Sequence, residues 1–311
     1  MTQATATVLK ALSCQYLHTW MITLNNVLTI DLEAISHRYM TEMTYLPQGR
    51  RTEVESGEGR KLLDGGSTLV WARGILRLLK GRDHRATFFV VGEVHDWYPE
   101  LIGEIRESGH EIAYHSHTHA PIRNLGLLRE EIQKSKRFLD DFRPLGFRAP
   151  RAFITERCLS ELVKCGFAYD SSSYGPAGKY VRIGGIAEIP ISTYTLKPWS
   201  RLALPRPLSP RLLASLEVPF GSGYFISLFS LLDRNITSHF IRKCNGNGAS
   251  AVLCLHPWQL FPRKIKCLSR SALSRLGFSP YDLCCFRAFE HLLENHRFYT
   301  ISEFIEDLGI A

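Results

Sequence analysis

No C-x-x-C pair, no internal repeat and no nucleic-acid-binding signature occurs in these 311 residues. Nor does any apolar run approach the roughly 20 residues of a membrane-spanning helix. The eight cysteines (Cys14, Cys158, Cys165, Cys244, Cys254, Cys267, Cys284 and Cys285) are irregularly spaced. In a chain this long that spacing argues against a disulfide framework, and several sit in apolar contexts where Cys behaves as a small hydrophobe. A reducing, cytoplasmic compartment is the expectation. The first thirty residues hold one Lys, and Gln15, His18 and Asn25-Asn26 interrupt their apolar stretch. Without a small-residue cleavage site, they do not read as a signal peptide. Residues 1–20 are read as an extension outside the fold, with Met21 opening a single domain over 21–311, so a chain begun at Met21 should still fold. Basic residues outnumber acidic ones, 38 to 30, for a net charge of +8. Some of that charge concentrates at 201–211 and 263–270, in segments read as loops. It suits anionic surroundings such as acidic glycans or a phospholipid surface. Nucleic acid is not an expected partner.

What is present alternates. Apolar runs at 27–31, 86–91, 110–114, 146–149, 187–191, 251–255 and 298–301 read as strands. Between them, helical periodicity appears over 68–80, from Pro99 towards Gly109, over 127–139, from a Thr155 cap to Cys165, over 229–243 and over 285–295. Residues 34–66 are polar, a long excursion over the surface or the site. Strands and helices in this order argue a parallel α/β sheet, closed as a barrel or left open. Reactive groups at the C-terminal ends of several strands favour the barrel.

Those groups are specific. His115-Ser116-His117-Thr118-His119 puts two imidazoles four residues apart where a strand ends and the chain turns. That spacing can aim both rings at one point, as a divalent-metal site in a hydrolase requires. Asp31-Leu32-Glu33, Phe147-Arg148-Ala149-Pro150 and Leu255-His256-Pro257-Trp258 each follow a strand as well. A carboxylate pair, a guanidinium and a further imidazole complete what metal-assisted hydrolysis needs.

Several motifs taken together resemble the NodB-type polysaccharide deacetylases, from about residue 27 to 260. They are Ile30-Asp31-Leu32-Glu33, the 86–92 strand, Gly109 through His119, Gly146-Phe147-Arg148-Ala149-Pro150, Gly166 through Ser172, and Leu255 through Trp258. Glu188-Ile189-Pro190-Ile191 and Gly221-Ser222-Gly223-Tyr224-Phe225 are similar, more narrowly, to the branch associated with exosortase (PEP-CTERM) exopolysaccharide clusters. The resemblance implies a distorted (β/α) barrel of about seven parallel strands. It also implies hydrolysis of an N-acetyl, less often an O-acetyl, group on a glycan, assisted by a divalent metal, with peripheral contact to the inner membrane or a polysaccharide assembly complex. Zinc is the expected ion, with cobalt, nickel, manganese or iron as alternatives.

By position in the motifs, Glu33, His115 and His119 would hold that metal. Glu33 departs from the commoner pattern of adjacent acids because Leu32 intervenes. Asp31 would be the general base and His256 the general acid that protonates the leaving amine. Arg148 would hold Asp31 ionised or serve as a plain structural ion pair. Asp170 would either orient His256 or cap the turn that follows it. Arg151 would offer its backbone N–H to the oxyanion. Phe153, Tyr224 and Trp258 would form an acyl pocket or sugar platform, or simply pack in the core. Two other readings use the same fold: an allantoinase-like hydrolase of small cyclic amides, and a carbohydrate binder without turnover.

Overall fold

The computed structural model describes residues 24–39, 54–196, 216–261 and 283–310. Within β1 (Asn26–Leu32), alternate side chains part company. Leu28, Ile30 and Leu32 face the main apolar cluster, while Val27 joins a smaller one with Phe89, Ala113, Tyr169 and Val252. A strand buried on both faces belongs inside an α/β protein, with helices outside and a second packing layer within. The same split recurs in β2 (Thr87–Val90), β3 (Glu111–Tyr114) and, later in the chain, Val252–Leu255.

The remaining strands are β4 (Gly146–Phe147), β5 (Tyr169–Asp170), β6 (Tyr174–Pro176), β7 (Val181–Ile183), β8 (Ile186–Glu188), β9 (Ile191–Leu196), β10 (Leu216–Val218), β11 (Val252–Leu255) and β12 (Phe298–Tyr299). Seven of them run parallel in the order β11-β1-β2-β3-β4-β5-β8, and β12 adds to β1. β7 turns back on β8 through Gly184 and Gly185, whose φ of 61° and 92° suit the two-residue hairpin. β6 pairs with β9 in parallel, and single hydrogen bonds lead from there back to β11: Gly221 N to Ser192 O and Cys254 N to Gly221 O. The expected distorted (β/α) barrel of about seven parallel strands is the fold, its closing seam irregular.

Three elements differ from expectation, each for a local reason. The strand expected at 187–191 is two, because Pro190 has no N–H to donate to a ladder. The helix expected over 229–243 is Gly223–Phe229 and Ile236–Gly246. Between them the Asp233 carboxylate accepts from Asn235 N at 2.8 Å, an Asx turn that competes with helix. The helix expected over 127–139 is Leu125–Lys134 and Lys136–Phe142, broken at Ser135, whose hydroxyl lies 3.0 Å from His117 Nδ1. The extension 1–20 and the basic segments 201–211 and 263–270 lie outside the described residues. Among those described, no helix is long and apolar enough to cross a membrane, and the six cysteines are free thiols.

Candidate active site

Period-two alternation carries inward-facing side chains past the strand ends to one rim. Thr29 and Asp31 on β1, Cys254 on β11, and then Glu33, His115, Arg148 and His256 just beyond β1, β3, β4 and β11 follow that inward register. They converge on a cleft of about 500 Å³ whose walls also include His119, Arg151, Tyr174, Tyr224 and Trp258. The intervening Leu32 has a simple reading. Residues i and i+2 share a face of a strand, so the spaced pair can send both carboxylates inward.

Arg148 organises the base. Its Nη1 donates to Asp31 Oδ1 at 2.6 Å and to Thr29 Oγ1 at 2.8 Å, and Nε and Nη2 donate to Ser171 O and Oγ, each at 2.8 Å. The guanidinium also lies 4.0 Å above the Phe89 ring. Only 1% of Arg148 is exposed, so its charge depends on this shell. Burial by itself would raise the Asp31 carboxyl, but the Arg148 guanidinium, helped by His115 and His256, holds it far below the usual carboxylate range. The Cys254 thiol donates to Asp31 Oδ2 at 3.4 Å, a contact no sequence motif announced.

The imidazoles are oriented by acceptors that fix their tautomers. Nδ1 of His115 is 2.7 Å from Arg148 O; a carbonyl can only accept, so Nδ1 carries the proton and Nε2 offers its lone pair to the cleft. Burial pushes His115 down to about 4, against the opposing pull of Asp31, so it is neutral near pH 7. For His256 the fixing acceptor is Gln259 Oε1, 2.9 Å from the His256 N–H and 3.0 Å from Nδ1. Nε2 therefore faces Glu33 Oε1 at 3.4 Å and Asp31 Oδ2 at 3.8 Å, while the ring stacks on Trp258 at 4.7 Å between centroids. A side chain at Gly223 would drive its Cβ to 2.2 Å from Gln259 Oε1, which explains the glycine there.

The 115–119 turn is strained: Ser116 and His119 both have φ of 61°. Such conformations cost about 1–3 kcal/mol each and survive only where surroundings impose them. Glu131 does so here, its carboxylate accepting from His117 N at 2.9 Å, Thr118 N at 2.7 Å and Thr118 Oγ1 at 3.0 Å. His119 Nε2 thereby comes within 2.6 Å of Glu33 Oε2.

Glu33, His115 and His119 offer three ligand atoms, all within 4.8 Å of one another. Although Glu33 Oε2 is so near His119, the pair is not aligned as a hydrogen bond, and that buried oxygen has no hydrogen-bond partner among the described residues. Burial would raise the Glu33 carboxyl, yet His119, with His256 and His115, draws it below its ordinary value. An ionised oxygen without an aligned hydrogen bond and imidazole nitrogens facing it fit a divalent cation. Two nitrogens and one oxygen also leave positions open for water and substrate.

The polysaccharide deacetylase family model matches residues 63–169, the stretch holding His115, His119 and Arg148. A peptidoglycan deacetylase-like protein of Gibberella zeae is 30% identical over 156 residues, covering 47% of this chain and 46% of its own. Over residues 63–169 the chain matches the polysaccharide deacetylase family. It spans about half the length of that curated relative. A crystal structure described as a polysaccharide deacetylase from Mycobacterium smegmatis shares the fold, with a TM-score of 0.55 at 19% identity. The superposition covers 92% of this chain and 90% of that one.

Against the family's expected site, two assignments need correction. Asp170 does not orient His256, whose Nδ1 is taken by Gln259. Its carboxylate oxygens instead lie 3.2 Å from Ser172 N and 2.8 Å from Ser172 Oγ, and Ser172 Oγ accepts from Ala149 N at 2.8 Å. Burial and the neighbouring Glu188 push the Asp170 carboxyl well above its usual range. Asp170 braces the loop after β4 through Ser172. Phe153 points elsewhere: it is 53% exposed and forms no part of the cleft wall. Tyr224 and Arg151 do line the cleft, as does Trp258, which packs on Trp71 and Ile35 behind it. Sequence reasoning missed Tyr174, Cys254 and Gln259. Only Gln259 left a signal, since a Gln three residues after a strand-end His ahead of Pro257 fits a reciprocal helix cap.

Proposed function

We propose that this chain hydrolyses an acetyl group from the nitrogen of an acetylated glycan, using a divalent cation held by Glu33, His115 and His119, zinc before other ions. The observation that carries this is convergence: an arginine-held carboxylate, a candidate ligand triad and a tautomer-fixed imidazole face one cleft. When bound, the cation would polarise the acetyl carbonyl and acidify a water. Asp31, kept ionised by Arg148, takes the proton that water releases. With Nδ1–H held by Gln259 and the ring stacked on Trp258, His256 in its doubly protonated form gives the Nε2 proton to the leaving amine and is left neutral. The Arg151 backbone, with φ of 61° at the cleft wall, offers its N–H to the developing oxyanion. Tyr174 and Tyr224 form apolar walls for the sugar. An exopolysaccharide is the proposed natural substrate, and O-acetyl groups are a secondary one.

The test is acetate release from chitooligosaccharides by metal-depleted protein, with and without added zinc or cobalt. Metal-dependent acetate supports the reading. Stoichiometric metal without acetate would turn attention to small cyclic amides, and neither metal nor acetate would leave a carbohydrate binder. Within this mechanism, His256→Ala should slow amide hydrolysis by about 10²–10⁴-fold. Activated acetyl esters, whose leaving groups need no proton, should lose far less. Equal losses on both substrates would make His256 structural.

A further inference from the structure

Glu33 keeps the inward register of β1 but stands one residue past its end, where the chain turns. β1 ends at Leu32, and the Glu33 N–H folds back to Asp31 O at 3.0 Å. Ala34 follows, immediately before the short helix Ile35–Tyr39. Its N–H donates to His37 Nδ1 at 2.9 Å, while His37 N donates to Ala34 O at 2.9 Å. That first bond is the back-reach of a capping box, made by an imidazole where Glu or Gln is usual.

Because Nδ1 accepts, the ring proton must sit on Nε2, which donates to Glu93 Oε2 at 3.0 Å. Glu93 is gripped in turn by Arg60, through Nε to Oε2 at 2.7 Å and through Nη2 to Oε1. Arg60 comes from the helix Gly57–Asp64 and also donates to Val54 O. His37 lies flat on Trp97, with centroids 5.1 Å apart and planes 9° apart, and its centroid is 6.3 Å from that of His119. His37, Arg60 and Glu93 are 0%, 2% and 6% exposed. Burial pushes the Glu93 carboxyl up, but His37 and Arg60 together bring it down to about 2.

Desolvating an ion pair costs several kcal/mol per ion, so the same helix could be fastened to the barrel more cheaply by apolar contacts. What apolar contacts could not supply is direction. This relay starts in the polar excursion, ends on the Ala34 N–H, and so fixes the turn that carries Glu33. We propose that His37, held by Glu93 and Arg60, is a positioning residue that sets the Glu33 carboxylate for the cation. The inference rests on the reading of Glu33, His115 and His119 as ligands.

The test is zinc affinity of the metal-depleted full chain, measured by competition with a chromogenic chelator. His37→Phe keeps a flat ring on Trp97 and loses both hydrogen bonds; its affinity should fall by about 10–100-fold, as for other outer partners of metal ligands. His37→Gln restores an acceptor for Ala34 N and should recover most of that loss. Asn26→Ala is the structural control. Asn26 is buried at the opposite end of β1 and accepts from Ala251 N at 2.9 Å. It should lower thermal stability and leave zinc affinity within about twofold. An unchanged affinity in His37→Phe, or a loss that Asn26→Ala reproduces, overturns the inference while the metal reading stands. A wild type that binds no zinc defeats the metal reading and this inference with it.

Discussion

Asp31→Asn should retain the metal and lose turnover by about 10²–10⁴-fold, the usual contribution of a general base. The amide keeps the size of the carboxylate, so the ligand set of Glu33, His115 and His119 is left in place. What changes is the ability to take a proton and the charge that faces Arg148. The second change has a price in stability. Arg148 is 1% exposed, and the partners left to it, Thr29, Ser171, Cys254 and the Phe89 ring, are neutral. Removing one member of a buried ion pair typically costs about 3–5 kcal/mol, because the other charge is stranded. Denaturant unfolding of the wild type and the variant measures that loss, and chelator competition confirms that metal is retained. Two results would remove Asp31 from its role: near-normal acetate release by the variant, or loss of metal together with turnover. A double variant, Asp31→Asn with Arg148→Met, should recover part of the stability and none of the turnover. That combination separates the packing function of the pair from its chemistry.

The barrel was legible because the sequence signals it used are local. Short apolar runs between helical stretches marked β1, β2 and β3 as strands, and in the fold they send Leu28, Phe88 and Ile112 outward and Asp31, Phe89 and Ala113 inward. The rim residues followed, since Asp31, His115, Arg148 and His256 sit at or just beyond strand ends and one cleft collects them. Asp170 shows where that logic fails. It too stands at a strand end, but Ser172 lies two residues on, and a short acid that can bond its own turn usually does. Spacing alone does not separate the two fates. The His37–Glu93–Arg60 relay was out of reach for a different reason. Its members are separated by 33 and 56 residues, and nothing in the polar excursion says which strand end it will return to. Phe153 failed on orientation, because the positive φ of both Arg151 and Ala152 redirects the chain just before it.

His115→Ala should abolish metal binding and acetate release together, and the informative readout is stability with and without zinc. In the metal-free protein the variant loses one hydrogen bond, from Nδ1 to Arg148 O, and leaves that carbonyl without the donor. About 1–3 kcal/mol of destabilisation follows, too little to unfold an ordinary domain. Added zinc then divides the two proteins. A ligand that binds only the folded state stabilises by about 4 kcal/mol at a free concentration a thousand times its Kd. Wild type should show that gain; the variant, left with Glu33 and His119, should show almost none at the same zinc concentration. Thermal unfolding over a zinc titration reads both directly, and it does not depend on knowing the natural glycan. Should zinc stabilise the two proteins equally, the cation binds elsewhere, and Glu33, His115 and His119 lose their assignment together. Should zinc stabilise only the wild type while both release acetate alike, the metal is structural, and hydrolysis would have to rest on Asp31 and His256 without it.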